Sequence, residues 1–303
     1  MSIVACHLTP DRAPPEIAVA NPGTMAYASG IASPSMEPFR FRAGSAPLLV
    51  SMPHVGTLVP PDLADRFTPS ALALPDTDWH LEQLYDFLEP LGASLLVATH
   101  SRYVVDLNRP PDDANLYPGQ DSTGLVPVDT FARDPVYRAG AAPTLDEITE
   151  RTMRFWRPYH ERLAWELTRL RETHGYALLW DAHSIASQVP RFFTGRLPDL
   201  NLGSGNGTAC PKELAERLLA AASASGRSAV LDGRFKGGYI TRRYGRPAEG
   251  IHAVQLELSQ ATYLDETPPW AFREDLAQAL RPQLAHLIET MLAWGREHAA
   301  DLR

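Results

Sequence analysis

Tyr176-Ala177-Leu178-Leu179-Trp180-Asp181 is apolar at every position until its last residue. A strand wetted on one side alternates apolar with polar, so an unbroken apolar run bounded by Gly175 reads as a central strand covered by helices on both faces. Upstream, a helical pattern from Leu145 to His174, expected to kink at Pro158, stops at Gly175. Downstream lie a helix over 212–223, strands near 228–231 and 251–258, and helical segments from 270 to 298 that Pro282 is expected to split. Toward the N-terminus, order begins with the strand-like Ala46-Pro47-Leu48-Leu49-Val50-Ser51-Met52. Asp76 or Asp78 then caps a predicted helix carrying Trp79, Leu84, Phe87, Leu88 and Leu91 and ending at Gly92. Leu95–Ala98 and Tyr103–Leu107 read as further strands, and 108–143 as a long loop of the kind kept for function. Strands alternating with helices make this α/β with a largely parallel or mixed sheet.

Composition narrows the class. Of 303 residues, 44% are hydrophobic and 21% charged, the profile of a globular protein. A net charge of -8 without Lys/Arg runs argues against nucleic acid and anionic membrane as partners. Two cysteines, Cys6 and Cys210, cannot build a disulfide framework or a cysteine metal cage, so any metal must rest on His and carboxylate. No apolar run is long enough to span a bilayer, and the opening residues lack the pattern of a secretory signal, which predicts a cytoplasmic protein. Residues 1–38, rich in Pro, Ala, Ser and Gly, read as a loose extension with Met36 as an alternative initiator. Residues 39–303 read as one catalytic domain.

Chemistry-bearing residues follow the predicted strands, where open α/β sheets place their sites. His54 stands in Pro53-His54-Val55-Gly56, and His183 in Asp181-Ala182-His183-Ser184. Glu257 interrupts the apolar strand Ile251-His252-Ala253-Val254-Gln255-Leu256-Glu257. Two histidines and a carboxylate with an open position are the usual ligands of a hydrolytic zinc, and a separate carboxylate serves as proton carrier. His54 and His183 would be ligands and Glu257 the general base. The third ligand comes from Asp76, Asp78 or Glu82, with Asp78 favoured and Glu82 or Asp181 orienting a histidine. Arg102 and Arg109 flank a short apolar run, and Arg191, Arg242 and Arg243 sit in loops. Guanidinium groups in an acidic protein suggest a small anionic substrate.

Six strings in order, Pro53–Gly56, Asp76–His80, Ser101–Arg109, Asp181–Ser184, Gly237–Tyr244 and His252–Glu257, together resemble the N-formylglutamate amidohydrolases over about residues 38–266. The resemblance implies metal-dependent hydrolysis of N-formyl-L-glutamate to L-glutamate and formate, a step of histidine degradation. It also supports Asp78 as ligand. A more distant similarity to zinc carboxypeptidases implies a three-layer α/β/α sandwich. By that similarity Arg102 would stabilise the oxyanion and Asn108 with Arg109 would grip a substrate carboxylate, leaving Arg191 or Arg242 for the other. One departure is that the carboxypeptidase carboxylate ligand, three residues after the first histidine, is here Thr57. Each residue also has a structural reading: His54 closing a turn, Glu257 a buried ion-pair partner, His252 either packing or touching substrate. Two alternatives stand beside the main one: a deacylase or desuccinylase of another N-acyl acidic amino acid, and a metal-free dicarboxylate-binding protein on the same fold.

Overall fold

The computed structural model describes residues 37–116 and 119–300. The predicted N-terminal extension therefore lies outside the described residues except for its last two. Seven strands form one sheet: β1 (Phe39–Arg42), β2 (Leu48–Met52), β3 (Ser94–Ala98), β4 (Ala177–Ile185), β5 (Leu200–Gly203), β6 (Ala229–Leu231) and β7 (Ile251–Ser259). Their order is β1-β3-β2-β4-β7-β5-β6. Pairing is parallel from β3 through β2 and β4 to β7 and between β5 and β6, and antiparallel for β1 with β3 and β5 with β7. The helices are α1 (Pro61–Ala64), α2 (Pro69–Leu72), α3 (Leu81–Leu84), α4 (Leu145–Arg151), α5 (Arg157–His174), α6 (Lys212–Ala224), α7 (Tyr239–Tyr244) and α8 (Glu274–Glu297).

The apolar run at 177–182 is β4, and both of its faces are buried as its composition requires. Leu178, Trp180 and Ala182 join a core with α6 and α8, while Ala177 and Leu179 join a second core with α5 and α7. Two cores on opposite faces of one sheet make a three-layer α/β/α sandwich. Among the described residues no helix is long and apolar enough to cross a membrane.

Several local expectations are corrected. Order starts earlier than Ala46, with the edge strand β1, whose alternating Phe-Arg pattern pairs with β3. The predicted helix after Asp76 is reduced to α3 and a single 3₁₀ turn at Asp86–Leu88, and neither Asp76 nor Asp78 caps it. Its N-cap is His80, whose left-handed φ of 61° turns the chain, with Asp78 left to reach inward. Tyr103–Leu107 is β-branched yet forms turns, because it fills the second core while delivering polar residues to the cleft. A π-helical turn at Thr152–Trp156 joins α4 to α5 in one continuous helical run, and Pro158 is the second residue of α5, directly after that turn. Pro282 sits inside an unbroken α8. Leu280, Leu284, Leu287, Ile288 and Met291 bury on both sides of it. At roughly 1.5–3 kcal/mol each, that burial outweighs the ~3 kcal/mol cost of an internal proline.

Two buried histidines give the fold an acid limit. His160 on α5 is stacked on Trp156 at 3.7 Å between ring centroids. Its Nε2–H donates to the Leu107 carbonyl (2.9 Å) and its Nδ1 accepts from the Tyr244 hydroxyl (3.0 Å), so the neutral ring is fully satisfied. Burial pushes its pKa down to about 3, and burial likewise pushes His252, edge-on to Trp294, down to about 4. The unfolded chain takes up these protons below about pH 6.5 and the folded one does not. Stability is therefore full above that value and falls as pH drops toward the folded pKa values. The urea midpoint is expected to decline between pH 7.5 and pH 5, and less so in His160→Gln. An equal decline in that variant would remove His160 from the account.

Candidate active site

The chain leaves β2 for β3 on one side and then crosses to β4 on the other, so the strand order reverses between β2 and β4. Crevices at the carboxyl ends of such strands are where α/β sheets bind ligands. His54 follows β2 directly, and His183 lies near the end of β4. The β4–β7 register places His183 opposite Glu257. Asp78 arrives from a turn whose geometry is tied to the first histidine, since its backbone N–H donates to the His54 carbonyl (3.0 Å).

The side chains of His54, Asp78 and His183 are all buried, and one donor atom from each lies within 4.8 Å of the others. His54 Nδ1 is 3.9 Å and His183 Nδ1 3.2 Å from Asp78 Oδ2. The far nitrogen of each ring faces a different carboxylate. His54 Nε2–H donates to Asp106 Oδ1 at 2.7 Å. His183 Nε2 lies 3.3 Å from Asp181 Oδ1, a buried oxygen with no other hydrogen-bond partner among the described residues, and 3.0 Å from Asn108 Nδ2. Carboxylates behind histidines orient and enrich them as metal ligands.

The charge balance also suits a cation. Burial opposes charge on His183, yet Asp181 and Asp78 outweigh it and hold its pKa well above the ordinary value. Burial pushes Glu257 up to about 8, with Asp78 and Asp181 adding to the rise against the pull of His183 and Arg102. His54 is shifted the other way, lowered by burial and by Arg102. The donor set and the orphaned Asp181 oxygen both fit a divalent metal at this cluster.

Asp106 does double duty. Its Oδ1 holds His54, and its Oδ2 accepts from Arg102 at 2.6 Å. Burial raises its pKa, but Arg102, His54 and Arg109 overcome that and keep the carboxyl well below the usual range. Arg102 also packs its guanidinium 4.8 Å from the Phe131 ring centroid, and its buried Nε has no hydrogen-bond partner among the described residues.

His54, Arg102, Phe131, His183 and Glu257 line one cleft of about 570 Å³, open to solvent, together with Asn108, Arg109, Ser184, Arg234, Gly238 and Gln255. Asn108 is wedged in place: its Oδ1 accepts from the Ile240 N–H (2.8 Å), and its side chain fills the space a Cβ on Gly238 would need (2.3 Å). Of the five N–H groups of Arg109, the chain occupies three, at Thr123 O, Thr123 Oγ1 and Asn108 O.

The N-formylglutamate amidohydrolase family model matches residues 46–264. The chain belongs to this family. It is 54% identical over 265 residues to the N-formylglutamate deformylase of Pseudomonas aeruginosa, covering 87% of this chain and 99% of that one. It is also 54% identical over 258 residues to that of Pseudomonas putida, covering 85% and 96%. The fold is shared with the crystal structure of an N-formylglutamate amidohydrolase from Ralstonia eutropha (TM-score 0.73, 24% identity, 86% of this chain and 99% of that one). A gene product of Agrobacterium tumefaciens has the same fold (TM-score 0.64, 19% identity, 85% and 95% covered).

Within this amidohydrolase fold the sequence-derived residues divide cleanly. His54, Asp78, Arg102, Asn108, Arg109, His183 and Glu257 come together. Arg191 and Arg242 do not line the cleft. Arg191 is spent on Asp121, Asp129 and the Thr130 carbonyl, and Arg242 Nε donates to Gly237 O. Glu82 is at the surface, paired with Arg40, and Asp76 accepts from Tyr103 Oη and Phe131 N and is not part of the His54, Asp78, His183 cluster. His252, at the opposite end of β7 from Glu257, packs on Trp294. Three contributors went unread. Asp106 lay inside a string noted for its arginines. Gln255, two residues before Glu257 on the same strand face, donates to Glu257 Oε2 (3.2 Å) and accepts from Gly238 N (2.7 Å). Arg234 carries no distinguishing signal within its loop.

Proposed function

We propose that the chain hydrolyses N-formyl-L-glutamate to L-glutamate and formate with a divalent metal, zinc by its donor set, held by His54, Asp78 and His183. The observation that carries the reading is the buried His-Asp-His cluster with the buried Glu257 paired across the strands from His183, in a member of this family. When bound, such a metal polarises a carbonyl and acidifies water.

The chain's own residues supply the rest. Glu257 accepts a proton from the attacking water and returns it to the departing nitrogen, a task that needs a carboxyl titrating near neutrality. Burial has lifted it into that region, and positive charge at the neighbouring cluster draws it back toward neutrality. Arg102, fixed by Asp106 and Phe131, donates to the formyl oxygen as negative charge grows there. Arg109 takes the substrate's α-carboxylate with its remaining N–H groups, beside Asn108.

Release of L-glutamate from N-formyl-L-glutamate by the purified protein tests this directly. Exhaustive chelation is expected to abolish release and Zn²⁺ to restore it. Release that survives metal removal would leave the substrate standing and end the metal reading, and no release with any divalent metal would end both. Asp78→Ala should lose stoichiometric zinc while staying folded. Full zinc content in that variant, measured by atomic absorption, would exclude Asp78 as ligand.

A further inference from the structure

A substrate with two carboxylates needs two anchors, and Arg109 accounts for one. We propose that Arg234 binds the side-chain carboxylate and so sets the preference for an acidic amino acid, an inference that rests on the N-formylglutamate reading above.

Arg234 lies between β6 and α7 and lines the cleft. Its Nε donates to the Phe192 carbonyl at 2.6 Å, and a terminal nitrogen lies 3.4 Å from the Asp121 carbonyl. Its guanidinium carbon stands 5.6 Å from the Phe192 ring centroid and 5.3 Å from that of Phe235, and both rings line the same cleft. A guanidinium bracketed by aromatic faces and pinned through backbone carbonyls keeps its fork oriented, so little rotamer freedom is lost when a carboxylate docks. Asp121, on the wall of the same cleft, accepts from Arg191 and Arg133.

The order of contacts along the cleft agrees with the chemistry of the substrate. The α-carboxylate sits on the carbon that bears the scissile nitrogen, so it must lie beside the His54, Asp78, His183 cluster, where Asn108 touches His183 and Arg109 follows in the chain. The side-chain carboxylate is two methylenes further out. A run of contacts joins Arg102 to Arg234 through the rings of Phe131 and Phe192, which meet edge to face at 4.9 Å. That apolar wall suits two methylenes and leads to Arg234.

The experiment compares kcat/KM of the wild type, Arg234→Gln and Arg234→Lys on N-formyl-L-glutamate and N-formyl-L-glutamine, which match in shape and differ in charge. Arg234→Gln is expected to lose about 10²-fold on the glutamate substrate, carried mainly by KM, with the glutamine substrate little changed. Arg234→Lys keeps the charge without the fork and should fall between. Equal losses on both substrates, or an unchanged preference, would overturn the assignment. If Arg234→Gln does not fold, the glutamate-to-glutamine ratio of Arg234→Lys decides, and an unchanged ratio counts against the proposal. Failure of the metal-loaded wild type on N-formyl-L-glutamate would instead remove the reading beneath it, and this inference with it.

Discussion

Asp106→Ala is expected to damage stability, metal binding and turnover together. Its carboxylate bonds both His54, proposed above as a metal ligand, and Arg102, proposed above as the donor to the reacting oxygen. Removing it leaves Arg102 buried without its hydrogen-bonded ion-pair partner, and breaking a buried ion pair on one side costs about 3–5 kcal/mol. It also frees His54 to rotate or change tautomer, and losing a carboxylate behind a metal ligand typically weakens metal by about 10–100-fold. Asp106→Asn separates the effects, because it preserves shape and removes charge. The measurements are melting temperature, zinc affinity and kcat for both variants. An alanine variant with unaltered melting and zinc affinity would show that Asp106 merely fills space.

Glu257→Gln should leave the fold and the metal content intact while lowering kcat by about 10²-fold or more. Gln is nearly isosteric, and Glu257 is not part of the His54, Asp78, His183 cluster. KM should move little, since the carboxyl is assigned no substrate carboxylate. Burial of an amide at this position is tolerable because Gln255 and the strand ladder around it remain. Near-normal turnover would reassign the proton carrier, with Asp181 the next carboxylate to test.

These two residues illustrate what a sequence discloses. Glu257 was readable because a charged residue inside an apolar strand is costly and demands a reason. His54 and His183 were readable because each follows a strand, and strand ends converge in space at a topological switch. The apolar run in β4 likewise announced a sheet covered on both faces. Asp106 was hidden for the opposite reason. Its neighbours Val104 and Val105 are β-branched, so the segment reads as a strand, and a strand would have alternated its side chains between the two cores. Only the turn geometry, which depends on Asp106 N donating to Leu125 O from a distant loop, aims it at His54. Arg191 and Arg234 both lie in loops, where position carries no information about direction, and Arg242, read as a loop residue, lies on α7 instead. Which arginine meets the cleft is decided by non-local partners such as Asp129 and Phe192. Pro282 misled because local propensity was set against a helix face whose burial lies elsewhere in the chain.

The β4–β7 pairing has a further consequence. His183 and Glu257 are neighbours across a parallel ladder whose two strands are buried on both sides. Side chains alternate with a period of two, so a slip of one residue would carry Glu257 away from the cleft and into apolar packing. Such a misregistered chain could retain most of its helices and its compactness, yet Glu257, the proposed proton carrier, would face the wrong layer. Activity is thus a stricter witness to correct assembly than helical content or size.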